Sequence, residues 1–146
     1  MICILEDNEE RVRQFRAAVS AIAPHLALRI WRTAPAMIAE LPGCLHETLL
    51  ISLDHDLNRL PADEADPGSG YDIAKLLEEV TPCCPVIIHT SNVERGTWME
   101  GALSLGGWQY DRVAPFGDDW IATAWAPVAR RLLGRQDNPP LERTGG

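Results

Sequence analysis

The sequence predicts an α/β fold: a five-stranded parallel sheet, doubly wound, with helices on both faces. Three observations carry that expectation. Short apolar runs alternate with amphipathic helical patterns from one end of the chain to the other. The runs at Met1–Leu5, Leu49–Leu53 and Pro85–Ile88 are continuous rather than alternating, as strands covered on both sides are. No internal repeat or low-complexity tract breaks the series.

Each element has its own signal. Met1–Leu5 is the first strand. Glu9–Ile22 follows as a helix, because Val12, Phe15, Val19 and Ile22 recur three or four residues apart, with Asp7 or Asn8 to cap it and Pro24 to end it. Leu26–Trp31 alternates and reads as the second strand; Ala34–Leu41 is a short helix closed by Pro42-Gly43. Leu49–Leu53 is the third strand, and a polar loop with Pro61, Pro67, Gly68 and Gly70 leads to a helix over Tyr71–Val80. Pro85–Ile88 forms the fourth strand, Glu94–Leu105 the fourth helix and Trp108–Ala114 the fifth strand. Asp118–Leu133 is the last helix, with a kink expected at Pro127. The domain is expected over 1–133 and a flexible tail over 134–146.

Length and charge narrow the function. The 146 residues amount to one domain, and the formal charge is −8. That acidity argues against coating duplex nucleic acid and against binding an anionic membrane, since both need a basic face. A small phosphorylated substrate stays open, held by a metal or by backbone N–H groups. No apolar run reaches the roughly 20 residues of a membrane-spanning helix, and Met1–Asp7 carries no secretion signal. Cys3, Cys44, Cys83 and Cys84 lack metal-ligand spacing and read as reduced thiols, so a cytoplasmic protein is expected.

Ligands of open α/β sheets sit beyond the carboxyl ends of the strands, where strand order reverses. In the flavodoxin-like order 2-1-3-4-5 the first, third and fourth strands lie side by side. Their carboxyl ends deliver Glu6 and Asp7; Asp54, His55 and Asp56; and His89, Thr90, Ser91 and Asn92. Carboxylates gathered in one crevice repel, so protons, a basic side chain or a divalent cation must neutralise them. Oxygen ligands favour a hard ion such as Mg²⁺, which leaves room for a substrate phosphate. Second readings stay open for each cluster. Asp7 with Glu10 resembles a capping box, His55 and Asp56 are also ordinary loop residues, His89 is also a buried core histidine, and Ser91 or Asn92 caps the fourth helix. Gly68-Ser69-Gly70 reads as a flexible turn rather than a phosphate loop.

The layout resembles the receiver domains of two-component signalling. Glu6-Asp7, Asp54 and Thr90 match their acidic pair, phospho-acceptor and hydroxyl residue, while Ala114 stands where they carry lysine. Leu53-Asp54-His55-Asp56-Leu57 and Ile88-His89-Thr90-Ser91-Asn92 are similar to the cyclic-phosphate processing receiver family. The resemblance implies processing of cyclic nucleotides or cyclic phosphate ends. It implies Glu6, Asp7, Asp54 and Asp56 around a divalent cation, Mg²⁺ first and Mn²⁺ second. It implies His55 or His89, with Asp54, in catalysis, and Thr90, Ser91 and Asn92 on phosphate oxygens. The competing expectation is a degenerate receiver acting as a docking module. Trp98, Trp108, Trp120 and Trp125 crowd its last units, so helices 4 and 5 are the candidate homodimer face, although core packing is the first reading of these tryptophans. Phosphorylation of Asp54 is disfavoured by Ala114.

Overall fold

In a computed structural model describing residues 1–58 and 65–137, strands and helices alternate throughout. The strands are β1 (Ile2–Leu5), β2 (Leu28–Trp31), β3 (Leu50–Leu53), β4 (Val86–Ile88) and β5 (Tyr110–Arg112). The helices are α1 (Glu9–Ile22), α2 (Ala34–Cys44), α3 (Gly70–Glu78), α4 (Val93–Leu105) and α5 (Ala126–Asp137). All neighbouring strands pair in parallel, in the order β2-β1-β3-β4-β5. The expected doubly wound fold and its strand order are both present.

Alternation along each strand divides the core in two. Cys3, Leu5, Ile51, Leu53, Val86 and Ile88 face α2, α3 and α4, where Met37, Leu41, Leu77, Met99 and Leu103 cover them. Ile2, Ile4, Leu50 and Ile87 face the other way, onto Phe15 and Val19 of α1 and Ile121, Trp125 and Ala129 of the last helical segment. Burial of each such large side chain contributes roughly 1.5–3 kcal/mol. The first, third and fourth strands are buried on both faces, which is why their sequences do not alternate. The edge strand β2 is less buried, with Arg29 exposed between half-buried Leu28 and Ile30.

Helix ends follow local chemistry, with two departures. Asn8, not Asp7, caps α1: its Oδ1 accepts from the Arg11 amide at 3.0 Å. Pro42 does not stop α2, which runs on to Cys44. A proline in the last turn removes one hydrogen bond near an end that frays anyway. The irregularity expected at Pro127 lies just before it, as a π-helical turn over Ile121–Trp125. There the Ala126 amide reaches back to the Ile121 carbonyl. In a regular α-helix, residues five apart point roughly 140° away from each other. Pairing i with i+5 stacks them instead. Trp120 and Trp125 therefore both turn inward, with ring centroids 5.8 and 4.9 Å from Phe15.

Trp108, Trp120 and Trp125 are core residues, whereas Trp98 on α4 is 42% exposed. All four cysteines are free thiols, and burial pushes Cys3 up to about 11. No helix among the described residues is long and apolar enough to cross a membrane. α5 continues through Gly134 to Asp137; the rest of the expected tail, from 138 on, lies outside the described residues, as does Pro61.

Candidate functional site

Strand register builds the site. Leu5 is aligned with Leu53, and Leu53 with Ile88. The next residue on each strand is polar: Glu6, Asp54 and His89. The ladder continues through them, the Asp54 amide donating to Leu5 O at 3.1 Å and the His89 amide to Leu53 O at 2.9 Å. The three side chains therefore leave the sheet in one row, opposite to Leu5, Leu53 and Ile88, toward α1 and the Trp120–Trp125 segment. One ligand atom from each lies within 4.8 Å of the others. Glu6 and His89 are fully buried and Asp54 is 5% exposed.

A chain of buried hydrogen bonds sets the protonation of this row. Trp125 donates its indole N–H to Ser52 Oγ at 2.9 Å. Ser52 Oγ lies 2.7 Å from His89 Nδ1, and His89 Nε2 lies 3.3 Å from Glu6 Oε2. The buried hydroxyl accepts from Trp125, so it satisfies its own proton by donating to Nδ1. His89 is then the Nε2–H tautomer and donates to Glu6. Burial holds its pKa down at about 4, so at neutral pH this contact is a hydrogen bond of a neutral imidazole rather than an ion pair. Phe15 and Trp120, with ring centroids 5.1 and 5.7 Å away, pack on the imidazole. His89 is thus a core histidine that also faces the carboxylates.

Burial also raises the carboxyls. Asp54 is pushed up to about 7, by desolvation first and by Glu6 beside it, partly offset by His89 and Arg11. Glu6 is raised as well, chiefly by burial. Arg11 supplies the cation: its Nη1 stands 3.5 Å from Glu6 Oε1 and 3.9 Å from Asp54 Oδ2. Burial, which favours the protonated carboxyls, and one guanidinium thus offset the charge of the pair. The sequence reading did not single out Arg11, but a signal existed. It occupies the first turn of α1, where the helix dipole favours anions, so it needs an outside partner.

The remaining candidates sit around this row. Asp7 turns aside and accepts from the Asn58 amide at 2.6 Å. His55 is buried, and its Nδ1 lies 2.7 Å from Oδ1 of the exposed Asp56. Asp7, His55 and Asp56 are outside the Glu6–Asp54–His89 group. Thr90 is buried and its Oγ1 accepts from the Asn92 amide at 3.1 Å. Asn92 caps α4, accepting from the Arg95 amide at 3.0 Å, and Ser91 is exposed beside it. The turn before α3 is closely fitted against the end of β3. Ser69 and Asp72 form a capping box, and Gly70 lies so close to the Asp54 carbonyl that a Cβ would stand 2.0 Å from its oxygen.

The donor set suits a divalent cation. Two carboxylates within a few ångströms match the oxygen preference of Mg²⁺ or Mn²⁺, and the imidazole leans toward the softer of the two. In its present tautomer His89 offers a proton rather than a lone pair, so Glu6 and Asp54 are the groups that would hold the ion.

The comparisons agree with this architecture. A response regulator receiver domain from Rhodospirillum rubrum superimposes with a TM-score of 0.64 at 19% identity, over 89% of this chain and 91% of that one. The Mn²⁺-bound form of response regulator Rcp1 gives 0.60 at 16% identity, over 90% and 93%. The response regulator domain of Thermotoga maritima CheB gives 0.57 at 14%, over 91% and 95%. These likenesses establish the fold. Among curated proteins none matches the chain. Residues 2–104 match the cyclic-phosphate processing receiver domain, and the chain belongs to that family.

Proposed function

We propose that this chain is a metal-dependent phosphoesterase that processes cyclic phosphates, of a nucleotide or of an RNA end. The carrying observation is the row Glu6–Asp54–His89 at the carboxyl edge of the sheet, in a member of this family. The Mn²⁺-bound form of Rcp1, which shares the fold, supports a divalent ion here, Mg²⁺ or Mn²⁺. Such an ion, when bound, withdraws charge from a phosphoryl oxygen and lowers the pKa of a water.

Glu6 and Asp54 hold the cation in their deprotonated forms. Between the two histidines, the geometry favours His55 as the acid/base. The Asp56 carboxylate accepts from Nδ1–H and leaves Nε2 to take and return a proton. His89 instead positions Glu6. Thr90, Ser91 and Asn92, at the start of α4, offer donors to phosphate oxygens where the helix terminus attracts anions. Water adds to phosphorus, one ring P–O bond breaks, and the departing alkoxide takes up a proton, giving a phosphomonoester and an alcohol.

The test is a panel of 2′,3′- and 3′,5′-cyclic nucleotides and RNA 2′,3′-cyclic ends with Mg²⁺ or Mn²⁺, read by ³¹P NMR. One class is expected to turn over, with loss of about 100-fold or more in Asp54→Asn and an unchanged circular-dichroism spectrum. A panel left intact would sink the reading.

One observation favours the docking alternative. Trp98 and Leu105, seven residues apart on α4, are exposed on one side of the helix, on which a second copy would pack. Light scattering that finds a dimer in the wild type and a monomer in Trp98→Ala would support it.

A further inference from the structure

Arg11 already does what a metal would do. It is the third residue of α1, and Glu9 and Glu10 before it suit the helix terminus while Arg11 opposes it. What keeps it there is the carboxyl pair. Yet both contacts, 3.5 and 3.9 Å, are longer than the roughly 2.7–2.9 Å of a strong charge-assisted hydrogen bond. Both use the same nitrogen, so the guanidinium serves as a point charge rather than as a fork. Its outer side rests on Trp120, 5.4 Å from Cζ to the ring centroid. The side chain is 31% exposed and lines an open cleft of about 450 Å³ together with Asn8, Gln14, Gly117, Asp118 and Trp120. It therefore has somewhere to go.

We infer that Arg11 and a divalent cation are alternative occupants of the Glu6–Asp54 pair. A divalent ion held by both carboxylates repels a guanidinium a few ångströms away and takes the two acceptors that retain it. Arg11 then leaves the pair for the cleft and loses its place on Trp120. The resident cation keeps the ion-free protein folded around two buried acids, and it also sets a threshold that a metal must exceed. This inference rests on the metal half of the proposed function.

Calorimetric titration of Mn²⁺ into the wild type, Arg11→Gln and Arg11→Met at pH 8 tests it; Met keeps the apolar packing on Trp120 if Gln does not fold. Both variants are expected to bind Mn²⁺ about tenfold or more tightly than the wild type. Mg²⁺ is expected to change the tryptophan fluorescence of the wild type but not that of Arg11→Met or Trp120→Phe. Equal Mn²⁺ affinities overturn the inference and leave the metal reading standing. Tighter variants without a wild-type fluorescence change mean repulsion without displacement, which also overturns it. If no protein binds Mn²⁺ at millimolar concentration, the metal reading falls and the inference falls with it.

Discussion

The Ser52 hydroxyl sets the tautomer of His89. It lies two register positions behind, on the same face of the sheet, and at 2.7 Å it fills the Nδ1 side of the ring, so that Nε2–H faces Glu6. Ser52→Ala leaves the Trp125 indole N–H and His89 Nδ1 without their partner in a dry interior. A loss of about 1–3 kcal/mol in urea unfolding is expected. In the wild type, ¹⁵N NMR should find the proton on Nε2; a proton on Nδ1 would refute the assignment.

Asp54 and His89 should mask each other's pH dependence. Their ordinary values are 3.8 and 6.5; in the folded protein they stand at about 7 and about 4. Between roughly pH 4 and 6.5 the unfolded chain keeps one proton on His89, and the folded chain keeps one on Asp54. The counts match, so the pair adds little slope. In His89→Gln only Asp54 remains. The folded state then binds more protons than the unfolded, and stability falls as pH rises from about 4 to 7. In Asp54→Asn only His89 remains, and stability falls as pH drops from about 6.5 to 4. Each full swing amounts to about 3–4 kcal/mol at most. Glu6, raised too, tilts every curve in the Asp54 sense. Urea midpoints across this range should slope in opposite directions in the two variants; slopes of the same sign would exclude the exchange.

Divalent-cation affinity should climb with pH. The proton that Asp54 holds up to about 7 must leave before its carboxylate can ligate. Calorimetry between pH 5.5 and 8 is expected to show affinity rising by nearly tenfold per unit up to about pH 7 and levelling off above it. Asp54→Asn should bind weakly at every pH.

Two glycines should respond in opposite ways. A Cβ at Gly70 would sit 2.0 Å from the Asp54 carbonyl oxygen and 2.9 Å from Met99 Cε. Gly70→Ala must therefore push α3 off β3 and move Asp54, with a loss of about 3 kcal/mol and of any cation binding. Gly101, in the middle of α4, has nothing within 4 Å. Gly101→Ala should stabilise by roughly 0.5–1 kcal/mol through helix propensity. Thermal melts of the two variants decide both.

The fold was legible because two-sided burial writes itself into sequence: Ile2–Leu5, Leu50–Leu53 and Val86–Ile88 can only be central strands. The Glu6–Asp54–His89 row was legible for a related reason. Each member is the first polar residue after such a run, and parallel pairing aligns the ends. Side-chain direction was not legible. Asp7 is next to Glu6 but points elsewhere, since consecutive residues on an extended chain alternate sides, and Asp56, past the end of β3, turns to His55. Arg11 and Ser52 were missed because their roles are set by what lies across the sheet from them, which periodicity within α1 or β3 does not encode. The wide turn at Ile121–Trp125 was foreshadowed by Pro127, but its location and form depend on two indoles competing for the same side.

That turn carries a surplus residue, and the surplus is usable. Excising either Ala122 or Thr123, both solvent-facing, would let the coil close into an ordinary spiral. With one residue fewer between them, Trp120 and Trp125 would stand four apart, about 40° from each other, and keep to the same side. One excision at the surface would thus remove the wide coil while the indoles over His89 and Arg11 and every residue that touches the carboxyl pair stayed on their side of the helix, separating what the coil contributes from what the aromatic roof does.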